Sequence, residues 1–414
     1  MTSTSAIRSH SSGARAVLNI AVLVAALGYF VDIYDLILFS IVRVPSLKAL
    51  GFEGETLFQH GVWLLNTQMA GMLLGGILWG ILGDKRGRLS VLFGSIVLYS
   101  IANVANGMVQ SIGGYTAWRF IAGLGLAGEL GAGITLVSEV LPKESRGWGT
   151  TIVASVGICG ALLASKVAEA LDWRYAYFVG GGLGLLLLGL RVAVFESGLF
   201  EKAKKKNVKR GDFFHLFRTR RDFFKYLYCI LIGVPIWYVV GVLMTFSPEF
   251  AQALGAHEPV SAGKAILYNY AGLAVGDLAS GMLSQALSSR RKAVGIFLVI
   301  TSVFVAVYLT KHGLTADSFY WICSVLGFGS GYWAVFVTMG SEQFGTNLRA
   351  TVTTTVPNFV RGSVVPLTLS FAALKGAVGI VPAGAAVGIV ALGIAFFSLF
   401  RMEETFHKDL DYFE

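Results

Sequence analysis

Charge is scarce in this chain: Asp, Glu, Lys and Arg make up 14% of its 414 residues, little more than half the share of an average soluble domain. Cysteine is scarcer still. Cys159, Cys229 and Cys323 all fall inside apolar runs and share no spacing, which argues against a disulfide framework or a cysteine zinc site. The six histidines are scattered, so neither a metal cluster nor a cofactor is expected. Gly-rich phosphate loops and nucleophile constellations are also missing, so the sequence predicts no enzyme and no built-in ATPase.

What the chain has instead is apolar length. Hydrophobic residues reach 55% and come in uninterrupted runs that no globular core needs. Ala16 to Ile41 is apolar except for Asn19, Asp32, Asp35, Ser40 and two tyrosines. A membrane-crossing helix takes about 20 such residues. The run is too long for the core of a secretory leader, and two carboxylates interrupt it, so it reads as a retained first span.

Further runs lie near 60–82, 89–109, 114–138, 149–170 and 174–194. After a polar gap they resume near 224–248, 261–287, 293–310, 317–340, 351–372 and 380–400. The sequence therefore predicts an all-α membrane protein of twelve spans in two six-helix bundles, 1–195 and 223–414, joined by a linker, 196–222. That linker region holds Lys202, Lys204–Lys206, Lys209, Arg210, Arg218, Arg220 and Arg221.

Lys and Arg are retained on the cytoplasmic side of membranes. With the N-terminus inside, that side collects Lys85, Arg86, Arg88, Lys143, Arg146, the linker, Arg290–Lys292 and Arg401. The opposite loops collect Arg43, Lys48, Arg174, Lys311 and Lys375. Both termini are accordingly expected in the cytoplasm, in a multi-pass protein of the cell (inner) membrane. The net charge of +9 then reads as a solvated, lipid-facing inner surface rather than a nucleic-acid site.

The halves repeat. Gly71, Gly75 and Gly80 recur 201 residues later as Gly272, Gly276 and Gly281, and Gly123 and Gly125 recur 204 later as Gly327 and Gly329. Ser138-Glu139, with Arg146 beyond, recurs as Ser341-Glu342 and Arg349. Glycines one turn apart flatten a helix for close approach, and two such bundles around a midplane site can rock to give alternating access. Glycine spacing that merely packs a channel or scaffold is the other reading.

Between spans two and three stands Gly80-Ile-Leu-Gly-Asp84-Lys85-Arg-Gly87-Arg88-Leu89. It closely resembles the G-x-L-x-D-[RK]-x-G-R-[RK] signature of major facilitator transporters, departing only at Leu89. Span four carries Arg119, Gly123, Gly125 and Gly128 as R-x-x-x-G-x-G-x-x-G, followed by Glu139, Pro142, Arg146 and Gly147. On these residues the chain is identified as a member of that superfamily, similar to metabolite:proton symporters and their phosphate-carrying and sugar-porter relatives. The resemblance implies a state-dependent latch at Asp84 and its basic neighbours. In the second half Gln285 replaces the aspartate, so the latch is expected to be asymmetric.

Ionisable groups within spans are functional candidates by default. Asp32 and Asp35 lie three apart on span one, Glu129 near mid-depth in span four with Arg119 nearer the outer surface, and Arg361 in the middle of span eleven. In the resembled family these spans face one cavity. Asp32, Tyr34, Asp35 and Glu129 match the Asp-x-Tyr-Asp and span-four acid of phosphate:proton symporters. Arg361 stands at their span-eleven lysine, and Gly241 replaces an aspartate four residues beyond Trp237. The resemblance implies proton carriage by Asp32, Asp35 and Glu129, and an anion held by Arg361 with Tyr34, Trp237 and Trp333 as walls. Asp277 and Lys166 are weaker candidates. Arg119 neutralising Asp35, and Arg361 pairing with Glu129 or Asp32 as structural ion pairs, are the competing readings.

The expected function is proton-coupled symport of a small organic anion, a carboxylate, into the cytoplasm by a monomer. An exporter of cationic or amphipathic compounds, a phosphate or sugar symporter, and a transporter-like sensor remain alternatives.

Overall fold

The structure, a computed structural model, describes residues 20–86, 88–129, 143–196 and 216–406. The first half contains α1 (Ile20–Ala49), α2 (Gly54–Arg86), α3 (Arg88–Met108), α4 (Ile112–Leu126), α5 (Lys143–Ala170) and α6 (Trp173–Glu196). The second half begins with α7 (Arg220–Tyr238), a π-helical segment (Val239–Met244) and α8 (Ser247–Ala253). It continues through α9 (Ala262–Ala286), α10 (Arg290–Thr310), α11 (Ala316–Ser330), α12 (Trp333–Glu342), α13 (Thr346–Gly362), α14 (Val364–Val378) and α15 (Ile380–Arg401).

The fold is the expected twelve-span bundle pair, with corrections to three spans. Span seven is α7 continued by the π segment, span ten is α11 and α12 broken at Gly331–Tyr332, and span eleven is α13 and α14 broken at Ser363. Among the described residues, nine helical segments are long and apolar enough to cross a membrane. Spans four, eight and eleven are the others, for local reasons. Span four is described only to Glu129, span eight buries Asn269, Asp277, Ser280 and Ser284, and span eleven opens on a threonine-rich helix.

Helix starts carry their own caps. Ser111, Thr219, Ser289 and Thr315 each accept a bond from the backbone N–H three residues on, satisfying a donor the helix leaves free.

Packing repeats between halves. In the first, α1 packs on α5, α2 on α4 and α3 on α6; in the second, α7 packs on α13, α9 on α11 and α10 on α15. The repeat extends to single atoms. A Cβ at Gly71 would strike the Phe120 carbonyl, and one at Gly272 the Ser324 carbonyl. Gly75 and Gly276 press in the same way on Leu124 and Phe328, and Gly123 and Gly327 on Gln68 and Asn269. Only glycine permits such backbone-to-backbone crossings.

Two faces are distinguished below: the linker face, where α6 ends and α7 begins, and the far face, where α1 meets α2. A ladder of contacts joins the bundles toward the far face. Arg43 of α1 bonds the Glu249 carboxylate at 2.5 Å and the Thr245 carbonyl at 3.2 Å, lying over the Phe246 ring. Thr245 donates to Ser40 at 3.0 Å. Thr368 bonds Asn66, Lys375 pairs with Glu55, and Phe58 packs on Phe246 and Phe371. Arg43, counted from sequence among the outer-loop cations, is instead inside α1 and fully buried. The apolar run through Ile41 gave no sign that the helix continues to Ala49.

Candidate functional site

The centre of the molecule is organised by α1, whose surroundings bury most of its length. Asp32 stands near the middle of this 30-residue helix, and its Oδ2 receives Arg361 Nη2 at 3.2 Å. Both side chains are buried, and the pair links the two bundles. Arg361 occupies the last turn of α13, which runs on through Ser363, itself in helical conformation, into α14. Gly362 beside it lets Leu73 of α2 fill the space a Cβ would need.

This ion pair is only half-used. Asp32 Oδ1 and Arg361 Nε and Nη1 find no hydrogen-bond partner among the described residues. The phenols of Tyr29 (α1) and Tyr270 (α9) lie within electrostatic reach of both charges. A Cβ on Gly233 of α7 would touch Val360 and Phe336 together, and the Phe336 and Trp333 ring centroids are 5.6 Å apart. The charge pair of α1 and α13 thus has the Tyr29 and Tyr270 phenols in its field, and Phe336 of α12 lies across Gly233 from Val360, the neighbour of Arg361. An arginine with two free donors can grip carboxylate oxygens, and its charge is permanent.

The five in-span charges expected to converge are divided among three places. Asp35 points at α6, where a Cβ on Gly180 would strike its Oδ1. Its oxygens receive no hydrogen bond among the described residues, and Arg119 is its main electrostatic partner. Arg119 itself stacks over Phe39 and Tyr177, 5.2 and 5.7 Å from the ring centroids, with Nη1 3.5 Å from the Tyr177 hydroxyl.

Glu129 is held elsewhere, by a residue the sequence reading missed. Arg191 of α6 grips it with two parallel bonds of 2.7 and 2.8 Å and also donates to the Leu92 carbonyl. The pair is wedged against Gly28 of α1, where a Cβ would collide with Arg191 Nη2. The available signal was a lone arginine at the edge of span six, easily taken for an interfacial residue.

Tyr34 faces α6, its hydroxyl donating to the Ala176 carbonyl at 2.9 Å. Trp237 is buried just before the π segment, and Trp333 opens α12. Gly241 lies in the π segment with Val364 2.9 Å from where its Cβ would be, so an aspartate there would not fit without rearrangement. Asp277 accepts the Ala334 N–H at 2.8 Å. Lys166 is exposed and paired with Glu169. Gly123, Gly125 and Gly128 are buried against α2 and α3. Of the signature, Gly87 lies outside the described residues, as do Glu139 and Pro142, and the side chains at Gly80, Asp84, Lys85, Arg88, Arg146 and Gly147 are likewise outside them.

Comparison with known proteins agrees with this architecture. A family model, Major Facilitator Superfamily, matches residues 25–364. The chain belongs to the major facilitator superfamily. It is a transporter, not an enzyme. It is 26% identical over 399 residues to the "Probable 4-methylmuconolactone transporter" of Cupriavidus pinatubonensis, covering 91% of this chain and 89% of that one. It is 24% identical to the cis,cis-muconate transport protein of Acinetobacter baylyi, covering 95% of each. Among solved structures, the inward open xylose transporter XylE from E. coli superposes with a TM-score of 0.73 at 16% identity, covering 94% of this chain and 97% of that chain. The likeness to XylE concerns the fold alone.

Proposed function

We propose that this major facilitator protein is a proton-coupled symporter that carries a small organic monocarboxylate into the cytoplasm. One observation carries the reading: the buried, half-satisfied Asp32–Arg361 pair that joins the two bundles. A substrate carboxylate and Asp32 compete for the same guanidinium. A proton on Asp32 frees Arg361, so proton and anion load together. When both leave, the ion pair re-forms and the empty carrier returns without a lone buried charge. Loading only one would strand a charge in a low-dielectric site, at a cost of several kcal/mol.

The substrate class follows from the walls. Tyr29, Tyr270, Trp333 and Phe336 suit a flat, unsaturated or aromatic skeleton, in line with relatives named for gentisate and benzoate. The Arg361 guanidinium suits one carboxylate; Arg191 is committed to Glu129, and Arg119 lies between Asp35 and the Phe39 and Tyr177 rings. Asp35 is a second candidate proton carrier. A coupling role for Glu129 would require its bonds to Arg191 to part.

By the placement of basic residues the linker face is cytoplasmic and the far face external, in the cell membrane. The far-face ladder then closes the site from outside in this conformation. Bundles 1–195 and 223–414 rock about the site, with Asp84, Lys85 and Arg88 as latch residues on the linker face, and a monomer in lipid suffices for the cycle.

The test is uptake of benzoate and gentisate into proteoliposomes under an inward proton gradient, with the dicarboxylate cis,cis-muconate as the comparison expected to be carried less. Arg361→Ala should abolish uptake, whereas Arg361→Lys should retain part of it. Full uptake by Arg361→Ala would end the proposal.

A further inference from the structure

The break in span ten is bridged by another helix. Helix α11 stops at Ser330, and α12 restarts at Trp333 with Tyr332 at its N-cap, which offers no side-chain bond. The missing acceptor comes from α9: Asp277 Oδ1 takes the Ala334 N–H at 2.8 Å, and the Trp333 N–H also acts on the carboxylate. The approach is built in on both sides. A Cβ at Gly331 would lie 2.7 Å from the Asp277 nitrogen and from Gly276, and a Cβ at Gly276 would strike the Phe328 carbonyl. Asp277 is buried and adds to the field at Tyr29 on α1, beside Arg361.

The first half has no carboxylate at the corresponding position. The position 201 residues before Asp277 is Gly76, which faces Asn358 across the bundles. The carboxylate is therefore specific to the half that carries Trp333. A negative charge at the N-terminus of a ten-residue helix satisfies its free N–H groups and opposes its dipole. Here it does so from a neighbouring helix, which fixes the segment in space as well as capping it.

We infer that Asp277 is a positioning residue: it pins the start of α12 to α9 and thereby fixes Trp333, the aromatic proposed above as a wall for the substrate. The importance of that wall rests on the transport reading above, but the pinning does not, so the test is free of substrate. Hydrogen–deuterium exchange of the purified full chain in nanodiscs reads the pin directly. In Asp277→Ala, amides of 332–336 should exchange about tenfold faster, as for loss of a helix cap, with 316–328 unchanged. Asp277→Asn keeps an oxygen acceptor and should fall between Ala and the parent, which also serves if the alanine variant folds poorly. Tryptophan emission supplies the second readout. Asp277→Ala should shift it, and the shift should vanish when Trp333→Phe is present in both proteins compared. Exchange within twofold of the parent in both Asp277 variants, or an emission shift that survives Trp333→Phe, would overturn the assignment.

Discussion

Glu129 and Arg191 offer the sharpest energetic test, because the pair is buried, two-pronged and confined. Its bonds measure 2.7 and 2.8 Å, and the side chains are 1% and 5% exposed. Gly28 leaves no room for either partner to swing toward α1. Removing one partner leaves the other charged and unpaired in the bundle, which costs about 3–5 kcal/mol. Glu129→Gln and Arg191→Met should therefore each shift the folding equilibrium by roughly two to three and a half powers of ten. The double variant should lose less than the sum of the singles by about 2 kcal/mol, because no lone charge remains. Membrane transporters often unfold irreversibly, so the assay is the half-life of the folded, monodisperse form at a fixed elevated temperature. Either single variant within about 0.5 kcal/mol of the parent, or a double variant matching the sum, would refute the reasoning.

Three further outcomes are expected. Gly272→Leu should prevent folded protein from accumulating, since its side chain would enter the Ser324 carbonyl, whereas a leucine at Gly281, where no atom lies within 4 Å, should be tolerated; recovery by size exclusion checks both. Glu249→Gln should weaken the Arg43 bridge and shift the protein toward opening at the far face, seen as faster thiol labelling of Ser247→Cys. Glu404 caps α10, accepting bonds from Ser289 and the Arg290 and Arg291 N–H groups. Burial raises its pKa, but these bonds and those from Phe406 and Thr405 outweigh that and hold it below the ordinary value. A depressed carboxylate stabilises above its unfolded pKa of about 4.3 and loses that contribution as pH falls through the folded value. Exchange of 402–406, corrected for intrinsic rate, should rise at that acidity, and Glu404→Gln should show the same rise at neutral pH.

The spans and the repeat were legible because they depend on local composition and spacing. Gly71 and Gly272 announced their crossings before any coordinates, since only close approach demands glycine at such intervals. The breaks were not legible: Val239–Met244 is as apolar as its neighbours, and the carboxylate that restarts span ten lies 57 residues before the N–H it accepts. Pairing was legible only in part. Arg361 with Asp32 and Arg119 beside Asp35 stood among the competing readings, but Asp32, Asp35 and Glu129 look alike in sequence, and helix rotation decides that Glu129 turns to Arg191 instead of Arg361. Arg43 was assigned to a loop and Arg191 went unnoticed because each sits at the edge of an apolar run, where a cation usually reaches water.

Coupling through Asp32 is tested most directly by separating exchange from accumulation. In proteoliposomes, Asp32→Asn leaves Arg361 permanently unclaimed, so a labelled carboxylate such as benzoate should still equilibrate by counterflow against unlabelled substrate. Net accumulation driven by an inward proton gradient should disappear. A variant that concentrates substrate as well as the parent under that gradient would contradict the account.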